Sequence, residues 1–259
     1  MNRFNLLAYW SARPETAEQC ADRLLRFFAA LMRCDPTLAR WFKKGRSRKD
    51  ALRHQLDVAN RESLLAMLEN GRNRTDVGNQ IIYELGFSVY LWNGEADDHA
   101  VGLSIGCGSC AQYSLLPNNV ILDLADELDG LIDAANMQNV LEATVTAWEP
   151  IWAGIMSDEA QSSRGFPADP FIDWMVYLAN EWLPTAPALS PPASAKALDN
   201  GTIIVVQDEP PDPNNGTHLE NIRRVESALR SVWRVPSEVQ AEANRLRRLH
   251  YPGREVSGG

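Results

Sequence analysis

The chain has 259 residues, 45% hydrophobic, 23% charged and 8% aromatic, a composition that buries a core and excludes collagen-like and disordered classes. No run approaches the roughly 20 apolar residues of a bilayer-spanning helix. The opening MNRFNLLAYWSARPE also lacks the apolar stretch of a secretory leader, so a soluble, cytoplasmic chain with no membrane role is expected.

The formal net charge of −9 is unevenly spread. Residues 1–74 carry 15 Lys and Arg against 8 Asp and Glu, residues 75–215 carry 2 against 21, and residues 216–259 carry 8 against 5. The middle stretch, whose only cations are Arg164 and Lys196, cannot neutralise its own acids. It therefore presents a negative surface unless the terminal segments fold over it. Direct nucleic-acid binding by that surface is disfavoured, because phosphates need basic groups; a basic protein partner is favoured.

In chain order, Thr16 and Gln19 form a capping box for a helix over 17–34, with Ala17, Cys20, Ala21, Leu24, Phe27, Phe28 and Leu31 on one face. Asp35 and Pro36 stop it, and Leu38, Trp41 and Phe42 predict a short turn before the cationic loop Lys43, Lys44, Gly45, Arg46. Ser47 caps a predicted helix through Leu56, and Asn60 caps one over 61–70, closed by Gly71. Alternation of Leu85, Phe87, Val89 and Leu91, resumed at Val101, Leu103 and Ile105 after the turn residues Asn93, Gly94 and Glu95, predicts an antiparallel hairpin. Val120, Leu122 and Leu124 predict a further strand.

A second unit follows: a helix from Met137 to Trp148, strands at Ile151 to Met156 and Phe171 to Leu178, a proline-rich loop over 184–195, a strand from Thr202 to Gln207 and a helix over 217–231. Residues 236–250 are predicted as a basic helix and 252–259 as a flexible tail. Helices segregated from consecutive strands predict an α+β fold with mainly antiparallel sheets, arranged as two linked lobes, 1–130 and 131–235, followed by the basic terminus 236–259.

Several motifs invite chemistry. Gly106-Cys107-Gly108-Ser109-Cys110 is a C-x-x-C sequence and also echoes a papain-type nucleophile, with His250 downstream. A redox pair belongs at a helix start, where the thiol pKa falls, whereas an antiparallel strand leads into this one. A papain-like site needs an aromatic residue where Ala111 stands. The bland reading, a turn at a strand end, is preferred, with a thiol hydrolase or oxidoreductase on Cys107 and Cys110 kept as the alternative. Cys107, Cys110 and His99 are also too few ligands for a structural zinc site, and no metal or cofactor is expected. Three acidic groups stand out as candidate contacts: Glu95, Asp97 and Asp98 at the hairpin tip; Asp126, Glu127 and Asp129 within a run from Asp123 to Asp133; and Asp158 with Glu159 after a strand.

The blocks AYWSARPETAEQC (8–20), WFKKGRSRKDAL (41–52), GRNRTD (71–76), ELGF (84–87), LWNG (91–94), NNVIL (118–122), WEPIWA (148–153) and WMVYL (174–178), in this order, resemble the immunity protein 52 family over most of residues 5–231. Asp173 replaces an expected glycine, and 232–259 has no counterpart. The resemblance implies a cognate immunity protein of a bacterial polymorphic toxin system, encoded beside a toxin with a restriction-endonuclease-fold nuclease domain and often exported by type VI secretion. It implies no catalytic residues and no cofactor. Its aligned Tyr9, Trp10, Arg13, Trp41, Gly45, Arg74, Asp76, Gly86 and Trp92 are read as scaffold. An adaptor that loads a secreted effector is a third reading.

Overall fold

The structure, a computed structural model, describes residues 3–111, 116–125, 128, 130–162 and 172–234. Among these residues, ten strands form one antiparallel sheet: β1 (Phe4–Trp10), β2 (Trp41–Lys43), β3 (Gln55–Leu56), β4 (Phe87–Trp92), β5 (Val101–Cys107), β6 (Asn118–Leu124), β7 (Trp152–Ser157), β8 (Met175–Ala179), β9 (Ser194–Leu198) and β10 (Gly201–Val205), in the order β3-β2-β4-β5-β6-β1-β7-β8-β10-β9. The helices are α1 (Ala17–Cys34), α2 (Arg48–Ala51), α3 (Arg61–Asn70), α4 (Ala134–Trp148), α5 (Asp158–Ser162) and α6 (Gly216–Arg230).

The α+β class is as expected, but the sheet is shared. Strands from both halves of the chain join through β1, which pairs with β6 on one side and β7 on the other. A sheet for each lobe therefore gives way to one continuous sheet. The physical reason lies in FNLLAYW itself: six of its seven residues are buried, as a central strand packed on both faces requires.

The two faces of the sheet are covered differently. Alternate residues Leu6, Ala8, Leu103, Ile105, Val120, Leu122, Ile155, Met175 and Ile203 face one large core closed by α1, α3 and α4. On the other face Leu7, Trp152, Met156, Val176 and Ile204 pack against Val225 and Leu229 of α6. The β4-β5-β6 part of that second face stays half open, as the alternation of buried with half-exposed or exposed residues in those strands records.

Local chemistry explains the ends of the elements. Thr16 Oγ1 accepts from the Gln19 N–H while Gln19 Oε1 accepts from the Thr16 N–H, the reciprocal box predicted for α1. Asn60 caps α3 as predicted. The helix expected from Ser47 to Leu56 ends at Ala51, because Gln55 and Leu56 instead pair with Phe42 and Trp41. That pairing also makes a strand of Trp41–Lys43, where a turn was expected. Ser194–Leu198, partly inside the expected loop, is the edge strand β9. The predicted terminal helix and tail lie outside the described residues.

Candidate partner-binding site

Antiparallel register sorts the sequence into two ends. Trp92 lies opposite Gly102, Val101 opposite Leu124, Leu124 opposite Phe4 and Phe4 opposite Ser157. The chain segments beyond these residues therefore share one end of the sheet. Glu95, Asp97 and Asp98 precede β5 there, Asp158 and Glu159 follow β7, and Asp208 and Glu209 follow β10, whose Val206 N–H bonds to the Trp174 carbonyl at 2.9 Å. Asp97, Asp98, Asp158, Glu159, Asp208 and Glu209 are all exposed. Two of the three predicted groups are thus brought to one end. Asp126, Glu127 and Asp129 lie outside the described residues. Asp208 and Glu209 were not singled out in the sequence; their signal was an acidic pair directly after a β-branched strand.

The turn carrying the first group is built by one buried side chain. Asn93 Oδ1 accepts from the Val101 N–H at 3.0 Å and the Glu95 N–H at 3.3 Å, while its Nδ2 donates to the His99 carbonyl at 3.0 Å. Gly94 has φ +87°, and a Cβ there would fall 2.5 Å from the Phe42 ring, so glycine lets the turn close over that ring. Arg40 pairs with Glu95 at 3.0 Å, and Arg48 donates to the Gly94 carbonyl at 3.2 Å. At the second group, Asn5 Nδ2 donates to Asp158, and the Asp158 N–H bonds to the Arg3 carbonyl at 3.0 Å.

Asp123, at the end of β6, belongs to this end. Partial desolvation, then the negative charge of Asp158, raise its carboxyl above the ordinary aspartate pKa, against the pull of Arg3; solvent reaches its side chain, so the shift is screened. A folded-state pKa above the unfolded one means that the folded chain holds the proton more tightly. This contribution to stability is therefore full below the unfolded value and declines as pH rises through the folded one. Asp123→Asn is expected to remove that decline, so that its urea midpoint gains on the parent protein as pH rises from about 3 to about 7. Parallel midpoint curves would exclude the repulsion.

The cysteine turn lies at the opposite end. Cys107 is fully buried and Cys110 half-buried. A hydrogen bond with the Cys20 thiol, followed by burial, holds the Cys107 thiol well above its ordinary pKa, the reverse of what a nucleophile needs. Buried Asn118 organises this turn: its Oδ1 accepts from the Ser109 N–H at 2.8 Å, and its Nδ2 donates to the carbonyls of Ser11 and Ser109 at 2.9 and 3.0 Å. His99 sits beyond the other end of the seven-residue β5, about 20 Å away at the usual rise, so it cannot join Cys107 and Cys110 around one metal. His250 lies outside the described residues.

The block residues of the sequence are mostly scaffold. Tyr9 stacks on Trp152 and Trp10 on Trp148. Arg13 donates to the Trp148 carbonyl and Arg23 to the Ala147 carbonyl, both at 2.8 Å, and Glu15 and Glu149 bridge these guanidinium groups. Trp41 is buried with its N–H on the Leu38 carbonyl. Gly86 has φ +62°, and a Cβ there would meet the Cys107 carbonyl at 2.2 Å, so no other residue fits.

The geometry thus defines a helix-backed antiparallel sheet with the cysteine turn at one end and exposed carboxylates at the other. The chain belongs to the Immunity protein 52 family, whose sequence model matches residues 3–234. No curated protein matches it. Among solved structures, the Pseudomonas aeruginosa T6SS protein PA0821 is similar, with a TM-score of 0.54 and 15% identity over 95% of this chain and 83% of that one; at that identity the likeness concerns the fold.

Proposed function

We propose that this protein is the immunity partner of a cognate nuclease toxin, acting in the cytoplasm of the producing cell by binding rather than by catalysis. The toxin is a type VI effector of restriction-endonuclease fold, and the acidic end covers its basic nucleic-acid cleft or an assembly surface beside it. Family membership supports the class of function. The observation that carries the mode of binding is the convergence of Asp97, Asp98, Asp158, Glu159, Asp208 and Glu209 at one end of the sheet. Such a field draws in a basic partner and raises its association rate.

Co-expression in bacteria with the toxin domain encoded beside this gene tests the reading. Survival together with co-purification of a complex is expected. Toxicity without a complex would refute it, and a complex without survival would favour an effector-loading adaptor.

The thiol alternative is separable. Cys110→Ser, at a half-buried position, and Cys107→Ala are each expected to leave protection intact, with Cys107→Ala costing about 1–2 kcal/mol of stability from lost packing. Protection lost in a folded Cys110→Ser protein would restore the enzyme reading.

A further inference from the structure

Next to the acidic turn lies a surface of opposite sign. Segment 43–54 carries Lys43, Lys44, Arg46, Arg48, Lys49 and Arg53 against the single acid Asp50. Among the described residues, Lys43, Lys44, Arg46, Lys49 and Arg53 form no ion pair, and neither do Asp97 and Asp98 of the neighbouring turn. Arg40–Glu95 and the bond from Arg48 to the Gly94 carbonyl hold the two segments side by side.

Both segments border the open part of the sheet. Register places Tyr90 opposite Ser104 and Ser104 opposite Ile121, with Gly102 and Gly106 on the same face. Tyr90 is 54% exposed, and the Lys44 ammonium lies 4.8 Å from its ring centroid. An exposed tyrosine beside the small Ser104 is a favoured anchor at interfaces.

We infer that this edge of the molecule binds a second copy of the chain, the basic 43–54 segment of each copy meeting the acidic 95–98 turn of the other across a two-fold axis, with the Tyr90 faces between them. A two-fold contact requires a self-complementary surface. Adjacent segments of opposite, unneutralised charge supply that: one rotation satisfies both contacts at once. The inference does not depend on the identity of the toxin. It has a consequence for the proposed function, because Asp97 and Asp98 cannot contact a toxin and a second copy together.

Sedimentation of the full chain tests it. At about 0.05 M salt, where charges are little screened, a mass near twice the 28.9 kDa chain mass is expected, shifting towards the monomer at about 0.5 M. Lys43→Glu/Lys44→Glu/Arg46→Glu and Asp97→Lys/Asp98→Lys should each be monomeric, since both contacts become like-charged. An equimolar mixture of the two should dimerise, because both contacts are again opposite in sign; that recovery separates lost complementarity from misfolding. A monomeric parent protein at low salt, variants that dimerise as it does, or a mixture of folded variants that stays monomeric would each overturn the inference. So would a monomeric parent whose 43–54 segment binds a fluorescent single-stranded oligonucleotide, which would assign the patch to nucleic acid.

Discussion

Reversing Asp97, Asp98, Glu159 and Asp208 to lysine is expected to weaken binding of the toxin domain by about 100-fold or more, most of it in the association rate. These four are exposed, so their replacement leaves the core intact. Asp158 is kept, because Asn5 donates to it. Each exposed charge contributes little alone, roughly 0.2–1 kcal/mol. Four reversals, however, turn four attractions into four repulsions, and their sum is on the order of 3 kcal/mol, about two decades in affinity. Long-range attraction acts before contact, so the loss falls on association and shrinks with salt. Surface plasmon resonance at low and high ionic strength reads both quantities. An unchanged association rate in the quadruple variant would remove the electrostatic part of the account.

Trp148→Ala is expected to cost about 3–5 kcal/mol, enough to unfold a marginally stable domain. Trp148 is fully buried where α4 meets β1 and α1, with its ring 5.5 Å from Trp10 and 6.0 Å from Phe27. The adjoining carbonyls anchor Arg13 and Arg23, so the truncation opens a cavity beside an ion-pair cluster. Trp148→Phe should be much milder. It keeps an aromatic ring and removes a buried indole N–H that meets no acceptor among the described residues, an unpaired donor that itself costs about 1–3 kcal/mol. Urea denaturation of both variants checks the pair; equal destabilisation would show that the ring stack contributes little.

Trp10 and Trp148 also show how much of the fold was legible. They belong to two of the family-like blocks, 138 positions apart along the chain, and their stack packs the two blocks against each other. Helices with a cap and a single apolar face, α1, α3, α4 and α6, stood out because amphipathic periodicity and capping are local signals. Strands β4, β5 and β6 stood out because one of their faces is open and the pattern alternates. β1 did not: buried on both faces, it has no alternation to read. β9 did not either, since Ser194–Leu198 is an exposed edge whose pairing with β10 is set by backbone bonds rather than side-chain pattern. β1 joins strands from both halves into one sheet, a link that the pattern of neither half records.

The candidate site was legible in composition but not in geometry. The excess of acids over residues 75–215 is a sum along the chain; which acids meet depends on register and strand order, which a single sequence does not state. Register placed Asp123 near Asp158 and added Asp208 and Glu209 to the same end. It also carried His99 away from the cysteine turn, dissolving a constellation that was compact only along the chain.

Whether the toxin binds at the acidic end can be read from hydrogen exchange of the free protein, held dilute enough to be monomeric, and of its complex with the toxin domain. A toxin seated there should slow exchange in peptides covering 93–100, 157–162 and 206–212, with α1 and α3 unchanged. Protection confined to α1 and α3, with the acidic end exchanging as in the free protein, would contradict it.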